Sequence, residues 1–597
     1  MPNTQSSHYP VRLNPSLREI RRLHLRPGPP NSPIQCHLTT VSLLSSPKPF
    51  YEALSYVWGD PSNRPSILLH DSPFPVTRNL FTALHYLRDE SPNGKERILW
   101  VDAVVINQED IDERNSQVSM MDAVYASASH VLIWLGEAQE ADSHPREGGS
   151  DDAFDVFHLL AEGRETEVDL ERKVSAYNVR INLNNRPWFG RVWILQELAL
   201  ATVDPVILCG TTWISWENFM KARRILERVG YERNLTEEEE TMLKTKLDTL
   251  NDLRQAVSRN KGESLRQLIV FSRSSLATDP RDKIYGLLGM MKEEDKSVGS
   301  IVVDYRKPIS VVYADAMTHL FAKGQGPYFL SGVSLGGKRD GWPSWVPDFT
   351  AQVAWQREKD EEFICGTTFY PRGVGVSGPG ADADNGRILD DGKTLQVGGM
   401  FVDIVTEVLV LKETLDECLQ QLSQMEDLVG RAKDRIPTDN ALRPYLEKYK
   451  RSEKLWQTLI ANQDTRLFSN ESPPPSFEDI YETIVGRRGL PAEFSSMEDY
   501  VRDYKNNLSN QLPRRTFFTT KSGLVGLGVS GMQRGDHITI WFGAPVPFVI
   551  RPIELESAER DFYNLVGAAY VAGIMDGEMV DDIYCEDLAD TNMFFIV

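Results

Sequence analysis

The stretch LWVDAVVINQEDIDERNSQVSMMDAVYASASHVLIWLGE, residues 99–137, decides the fold. Ile98 to Ile106 is a nearly continuous apolar run broken by one acid, Asp102. Such a run suits a strand buried on both faces, as in a parallel sheet. Gln108 to Ala128 reads as a helix with Val118, Met121, Val124 and Ala128 turned inward. His130 to Leu135 reads as the next strand, closed by Gly136. Upstream, Tyr51 to Trp58 (YEALSYVW) reads as a short buried strand that ends at the turn Gly59-Asp60-Pro61. Leu80 to Leu87 reads as a helix with Leu80, Leu84 and Leu87 on one face and Thr77 as its N-cap. Strands and helices alternating at these spacings predict parallel crossovers and an α/β domain.

Outward from this core the character changes. Ile20, Leu23 and Leu25, interleaved with polar residues before Pro27-Gly28-Pro29-Pro30, predict an N-terminal strand. The arginines of residues 12–26 faintly resemble a transit peptide, but no amphipathic helix is sustained, and the strand is the better reading. Residues 139–152 read as a loop, followed by a helix around Phe154 to Ala161. Arg186 to Ala201 (RPWFGRVWILQELALA) predicts a helix beginning near Trp188. The expected organisation is an extension with a strand (1–45), the α/β domain (46–215), a mainly helical region (216–350) and a C-terminal region (351–597). In the last, short strands at Leu395 to Phe401 and Arg515 to Ile550 form a small β module around a helical insertion at about 403–510.

Composition excludes several classes. The 597 residues carry 65 Lys and Arg against 86 Asp and Glu, a formal net charge of −21. Nucleic-acid binding driven by clustered cations is not expected of such a chain. No apolar run approaches 18 residues, so no membrane span is expected, and with no secretory apolar segment the expected compartment is the cytoplasm. Five scattered cysteines form no Cys-x-x-Cys pair and the histidines form no His-Glu-x-x-His motif, so neither a disulfide scaffold nor a structural metal is expected.

Two Gly-x-Gly-x-x-Gly matches, at Gly373/Gly375/Gly378 and Gly526/Gly528/Gly531, lack the preceding strand and following helix that a phosphate-binding loop requires. Asp382, Asp384 and Asn385-Gly386 hint at a calcium loop, but its twelfth position is Lys393. Walker-type phosphate loops and nucleophile elbows are absent from the sequence. No cofactor is expected.

Three blocks carry a resemblance to the fungal heterokaryon incompatibility (HET) domain family. The first is YEALSYVWGD, residues 51–60. The second contains Trp100, Asp102, Ile106, Asn107, Gln108, Glu113, Arg114, Gln117, Val118, Met121, Tyr125 and Ala128. The third is Arg191-x-Trp193-x-x-Gln196-Glu197. The family usually has Cys before its Ile-Asn-Gln triplet; Val105 stands here, which makes a cysteine nucleophile untenable at this point. Blocks at 277–290, 303–308, 343–349 and 565–578 also look like blocks of long family members.

The resemblance implies a role in non-self recognition between fungal cells, ending in growth arrest or cell death. Its implied partners are other incompatibility or cell-death proteins, with self-assembly on activation. It also implies a distant likeness to Toll/interleukin-receptor (TIR) domains, some of which cleave NAD, and hence a TIR-like parallel sheet flanked by helices. Plant TIR domains carry a Trp-Cys-Leu-x-Glu-Leu helix with a catalytic Glu, and Trp193 to Leu198 (WILQEL) is similar to it. Their first strand ends in Ser-Tyr, as Ser55-Tyr56 does here.

By that analogy NAD is the candidate substrate and Glu197 the candidate catalytic carboxylate. Nicotinamide departure develops positive charge at the anomeric carbon, which a neighbouring carboxylate stabilises. The alternative for Glu197 is an ion pair with Arg191 or Arg186 that fixes its helix to the sheet. Asp102 belongs either to a structural network or to a site wall, with Ser55, Asn107 or a backbone amide as candidate partners. Ser55, Tyr56, Trp58, Asp102, Arg191 and Trp193 are the candidate substrate-binding residues. Trp58, Trp100, Trp134, Trp188 and Trp193 are expected mostly in the core, and Glu113 and Arg114 in surface or inter-helix pairs of little energetic consequence. A non-catalytic signalling module that recruits cell-death partners is the second functional class.

Overall fold

The computed structural model describes residues 8–91, 94–138, 149–228, 237–296, 301–331, 333, 340–350, 386–389, 391–433, 435, 455–461, 477–487, 497–544, 546–554, 560–575 and 592–597. Gly373/Gly375/Gly378, the Asp382 to Asn385 segment, Pro473 to Pro475, Cys365, Cys585 and most of the 139–152 loop lie outside them. The chain divides into two compact units, residues 1–309 and 310–597. It is a mixed α/β protein with one sheet in each unit.

In the first unit the strands are β1 (Glu19–Leu25), β2 (Gln35–Ser42), β3 (Glu52–Ser55), β4 (Ser66–Leu69), β5 (Ser72–Pro75), β6 (Arg97–Trp100), β7 (His130–Trp134), β8 (Val206–Cys209) and β9 (Thr212–Ser215). They form one sheet in the order β5-β4-β2-β1-β6-β3-β7-β8-β9. Its centre, β6-β3-β7-β8, is parallel throughout. β1 joins β6, and β9 joins β8, in antiparallel register. The expected parallel core is present, extended on both sides into a mixed sheet. α1 (Arg78–Leu87) crosses from β3 to β6 and buries Leu80, Ala83, Leu84 and Leu87. Thr77 occupies its N-cap position without a side-chain cap bond.

The decisive stretch folds with two departures. β6 ends at Trp100, and α2 (Asp102–Val105) follows where the apolar run predicts continued strand. Asp102 Oδ1 accepts from the Ala103 amide at 2.8 Å and opens the helical turn. Val104 and Val105 are buried in either geometry, so apolarity alone does not separate strand from helix here. The predicted helix at 108–128 is broken into α3 (Ile111–Val118) and α4 (Met121–Ser127). Asp110 caps α3 by accepting from the Asp112 and Glu113 amides. At the break the Ser119 hydroxyl donates back to the Ser116 carbonyl at 2.7 Å, a local bond that competes with helix continuation.

α5 (Ser150–Ala161) and α6 (Leu170–Asn184) follow β7. A single 3-10 turn, Pro187–Gly190, then leads into α7 (Trp193–Ala199), so the helix predicted from Trp188 starts five residues later. The helical region continues as α8 (Trp216–Arg228), α9 (Glu237–Asn260), α10 (Leu265–Phe271), α11 (Asp282–Leu288) and α12 (Glu293–Lys296). Leu276 clasps the start of α7, accepting from the Val192 amide at 2.9 Å and donating to the Gly190 carbonyl at 2.6 Å.

Gly262 links α9 to α10 at φ +125°. A Cβ there would stand 2.8 Å from the Lys292 backbone nitrogen. Gly262→Ala is expected to cost about 1–3 kcal/mol, since strain and backbone clash coincide. Chemical denaturation monitored by circular dichroism checks this, and an unchanged midpoint would refute it.

The second unit is built on β11 (Leu395–Val410), a 16-residue strand that pairs at its start with the two-residue β10 (Arg387–Ile388). Further along, β11 pairs with β14 (His537–Trp541) and then with β12 (Thr516–Thr520). β13 (Val525–Gly528), β16 (Phe562–Val571) and β15 (Phe548–Ile553) complete the path from β12 back to β14, closing a ring of antiparallel strands. Closure removes exposed edges. The strand predicted to stop at Phe401 therefore runs to Val410, and helices begin only at Leu415. Gly526 and Gly528 lie within β13, as their rejection as a phosphate loop implied. Among the described residues no helix is long and apolar enough to cross a membrane.

Candidate functional site

The parallel centre has its first strand, β3, between the second, β6, and the third, β7. The chain therefore leaves β3 toward β6 on one side and leaves β7 toward β8 on the other, which places a switch point between β3 and β7. In open α/β sheets such a switch point opens a crevice at the carboxyl ends of the strands, where ligands bind. Ser55 is the last residue of β3, Tyr56 follows it, and Asp102 stands just beyond the carboxyl end of β6.

At this edge the Ser55 hydroxyl donates to Glu197 Oε2 and accepts from the Trp188 indole at 2.7 Å. Arg191 Nη1 donates to the Tyr56 carbonyl and stands 4.0 Å from Glu197 Oε1. The Trp58 indole donates to Asp102 Oδ2 at 2.9 Å, and Gln108 holds the Asp102 carbonyl at 3.1 Å. The Pro187–Gly190 turn and α7 supply Trp188 and Glu197, while the Leu276 clasp secures the joint between them.

Burial dominates the electrostatics. Glu197 is 3% exposed, and its pKa is pushed up to about 7 by burial, with Asp102 adding to the rise. Arg191, Ser55 and Tyr125 oppose that shift without cancelling it. Asp102 is likewise raised by burial, against the pull of Arg191 and its hydrogen bonds. Tyr56 is raised well above the usual phenol range by burial, with the neighbouring Asp102 carboxylate adding to the rise. A buried and a half-buried acid beside one guanidinium, both raised by burial, are suited to proton transfer or to stabilising a cation.

Ser55, Tyr56, Trp58, Asp102, Arg191 and Glu197 thus come together. The Arg191 ion pair is present; Arg186 is committed elsewhere, donating to the Leu135 and Glu137 carbonyls at 2.6 and 2.9 Å. Trp193 departs from the group. It faces α11, where it and Tyr305 help lower the Asp282 pKa against a burial effect that lifts it to about 6. Trp58 corrects the expectation of a core residue, being 40% exposed above Asp102. Trp188 and Tyr125 also join the cluster, Trp188 through its indole on Ser55 and Tyr125 beside Glu197, and only the fold reveals their direction. Asp102 takes a backbone amide, that of Ala103, rather than Asn107, whose backbone N–H donates to Glu113 and whose side-chain oxygen accepts from the Glu109 amide.

Ser55→Ala removes a bond that holds the Glu197 pKa down, so the Glu197 titration is expected to move to higher pH. Carboxylate difference infrared titration, with Glu197→Gln to assign the band, reads the shift. A midpoint unmoved or lowered would contradict it.

The fold and site define an α/β domain with a parallel-centred sheet and a carboxylate–arginine cluster at its carboxyl edge, in a chain with a closed β module near its C-terminus. Residues 51–197 match the family model for heterokaryon incompatibility protein (HET), and residues 431–590 match that of the Het-6 beta-barrel domain. The chain is 25% identical to heterokaryon incompatibility protein 6, OR allele, of Neurospora crassa, over 97% of both chains. The chain belongs to the heterokaryon incompatibility family. No solved structure matches it.

Proposed function

We propose that this protein acts in fungal non-self recognition, in the cytoplasm, and that its α/β domain cleaves NAD to release nicotinamide and trigger cell death. The observation that carries the reading is the Glu197–Arg191–Asp102 group at the switch point of the parallel strands. Glu197, once ionised, stabilises the oxocarbenium-like state at the anomeric carbon. Arg191 orients that carboxylate and neutralises phosphate charge. Trp58, half open at the rim, stacks on a planar ring of the substrate. The Trp-x-x-x-Glu spacing of Trp193 and Glu197, similar to that of TIR domains, supports the same chemistry. The domain self-assembles on activation.

A second reading is a non-catalytic assembly module that recruits cell-death partners. The near-complete burial of Glu197, satisfied by Ser55 and Arg191, favours it. The two separate on nicotinamide release from NAD by the full chain at high concentration with a crowding agent, compared with Glu197→Gln. Release that depends on Glu197 supports the enzyme; no release from assembled wild-type protein overturns it in favour of the module.

A further inference from the structure

A second polar cluster lies on the same sheet, at the opposite end of the strands. β1 and β2 pair so that His24 and His37 stand directly opposite each other. Their imidazoles stack with centroids 4.4 Å apart. Glu96 immediately precedes β6, which pairs β1 on its other side. His24 Nδ1 lies 3.2 Å from one Glu96 oxygen, and His37 Nδ1 lies 3.9 Å from the other. One ligand atom from each of the three side chains falls within 4.8 Å of the others.

We propose that His24, His37 and Glu96 form a binding site for a divalent transition-metal ion of the zinc type, clipping β2, β1 and β6 together. Zinc takes imidazole nitrogen and carboxylate oxygen at about 2.0–2.2 Å, which sets tetrahedral ligand–ligand edges of about 3.4 Å. The 3.2 and 3.9 Å separations bracket that edge, so small side-chain rotations suffice. The donor set, two imidazoles and one carboxylate, matches borderline divalent ions.

The surroundings fit a ligand set better than a histidine pair alone. His24 Nε2 is 2.8 Å from the Thr39 hydroxyl, the orienting contact that metal-bound imidazoles use on their second nitrogen. His37 Nδ1 is buried without a hydrogen-bond partner, although it faces Glu96. Arg26, 4.0 Å from Glu96, is a competing cation, but it is half exposed and also reaches Asp71. Three protein ligands leave a fourth position to water or to an incoming group. A linear search for ligand spacing misses this site, because its members come from two strands and the residue before a third, and 72 residues separate His24 from Glu96.

The test is titration of chelator-treated full-length protein with Zn2+ by calorimetry and with Co2+ by visible absorption. Wild type is expected to bind one Zn2+ per chain with micromolar or tighter affinity and to give a Co2+ ligand-field band. His24→Ala/His37→Ala is expected to lose that binding at least a hundredfold, and Glu96→Gln to weaken it about tenfold or more. Glu197→Gln, at the far edge of the sheet, is expected to bind Zn2+ as wild type does. No binding by wild type, or equal affinity in a folded double-histidine variant, would overturn the proposal. The Co2+ spectrum of wild type stands as a test even where a variant fails to fold.

Discussion

Glu197→Gln is expected to abolish nicotinamide release, by about a thousandfold, while leaving the protein folded. Replacing the carboxylate by its neutral isostere removes the negative charge that the reaction requires, and losses of this order follow when such electrostatic stabilisation is removed from a water-poor site. The same variant carries a stability signature with a fixed sign. The folded-state pKa of Glu197, about 7, lies above the ordinary value of 4.5, so the folded protein binds this proton more tightly than the unfolded chain does. Below about pH 4.5 both states are protonated and the residue carries no ionisation penalty. As pH rises toward 7 the unfolded chain ionises first and stability falls; above 7 the full penalty stands. The size of the shift corresponds to roughly 3 kcal/mol. Glutamine escapes the penalty but leaves Arg191 without its ion pair, which trims the gain. The midpoint of Glu197→Gln, measured against wild type, should therefore climb between pH 4.5 and 7. Wild-type activity should rise across the upper part of the same window as the carboxylate ionises. Wild-type release rates in a folded Glu197→Gln protein would remove Glu197 from the chemistry. A flat stability difference between pH 4.5 and 7 would remove the raised pKa.

The parallel core was legible because burial on both faces leaves a mark in sequence. HVLIW at 130–134 and ILW at 98–100 are apolar runs of strand length. Where a run continued past the strand, as at Val104 and Val105, composition carried no information about the change to α2. The antiparallel strands β4 and β5 were not read at all. They are four residues each, two of the four in β5 are proline, and their pairing is set by the turn at His70 and Asp71, which both adopt positive φ. At the site, Ser55 and Glu197 were legible as residues, but their contact spans 142 positions and exists only through the fold. Trp193 and Trp188 show the limit most clearly. Five residues apart around a 3-10 turn, they point to different partners, Asp282 and Ser55, and no helical period relates them. Glu113 is the largest miss. It sits in the first turn of α3, looks like a surface acid, and is almost fully buried against an arginine from β1.

That arginine gives the second large effect. Arg21 is 3% exposed and forms a two-pronged pair with Glu113, at 2.5 and 2.9 Å. It also donates to the Val105 carbonyl at 3.0 Å and the Val11 carbonyl at 2.9 Å. Glu113 in turn accepts from the Asn107 amide at 2.7 Å. One ion pair thus joins β1, the end of α2, the loop before α3 and the N-terminal segment. Arg21→Ala leaves a buried carboxylate and two carbonyls without their donor, and is expected to cost about 3–5 kcal/mol. Glu113→Ala is expected to be similarly severe, because it strands the guanidinium. Removing both partners together abolishes the uncompensated charge, so the Arg21→Ala/Glu113→Ala double variant should cost less than the two single variants summed. The coupling is read from a double-mutant cycle in chemical denaturation. Its failure would be a single variant costing less than about 1 kcal/mol, the range of an exposed pair. In that case the ion pair would be solvated in solution, and the tie between β1 and the Ile106-Asn107-Gln108 segment would have to come from packing alone.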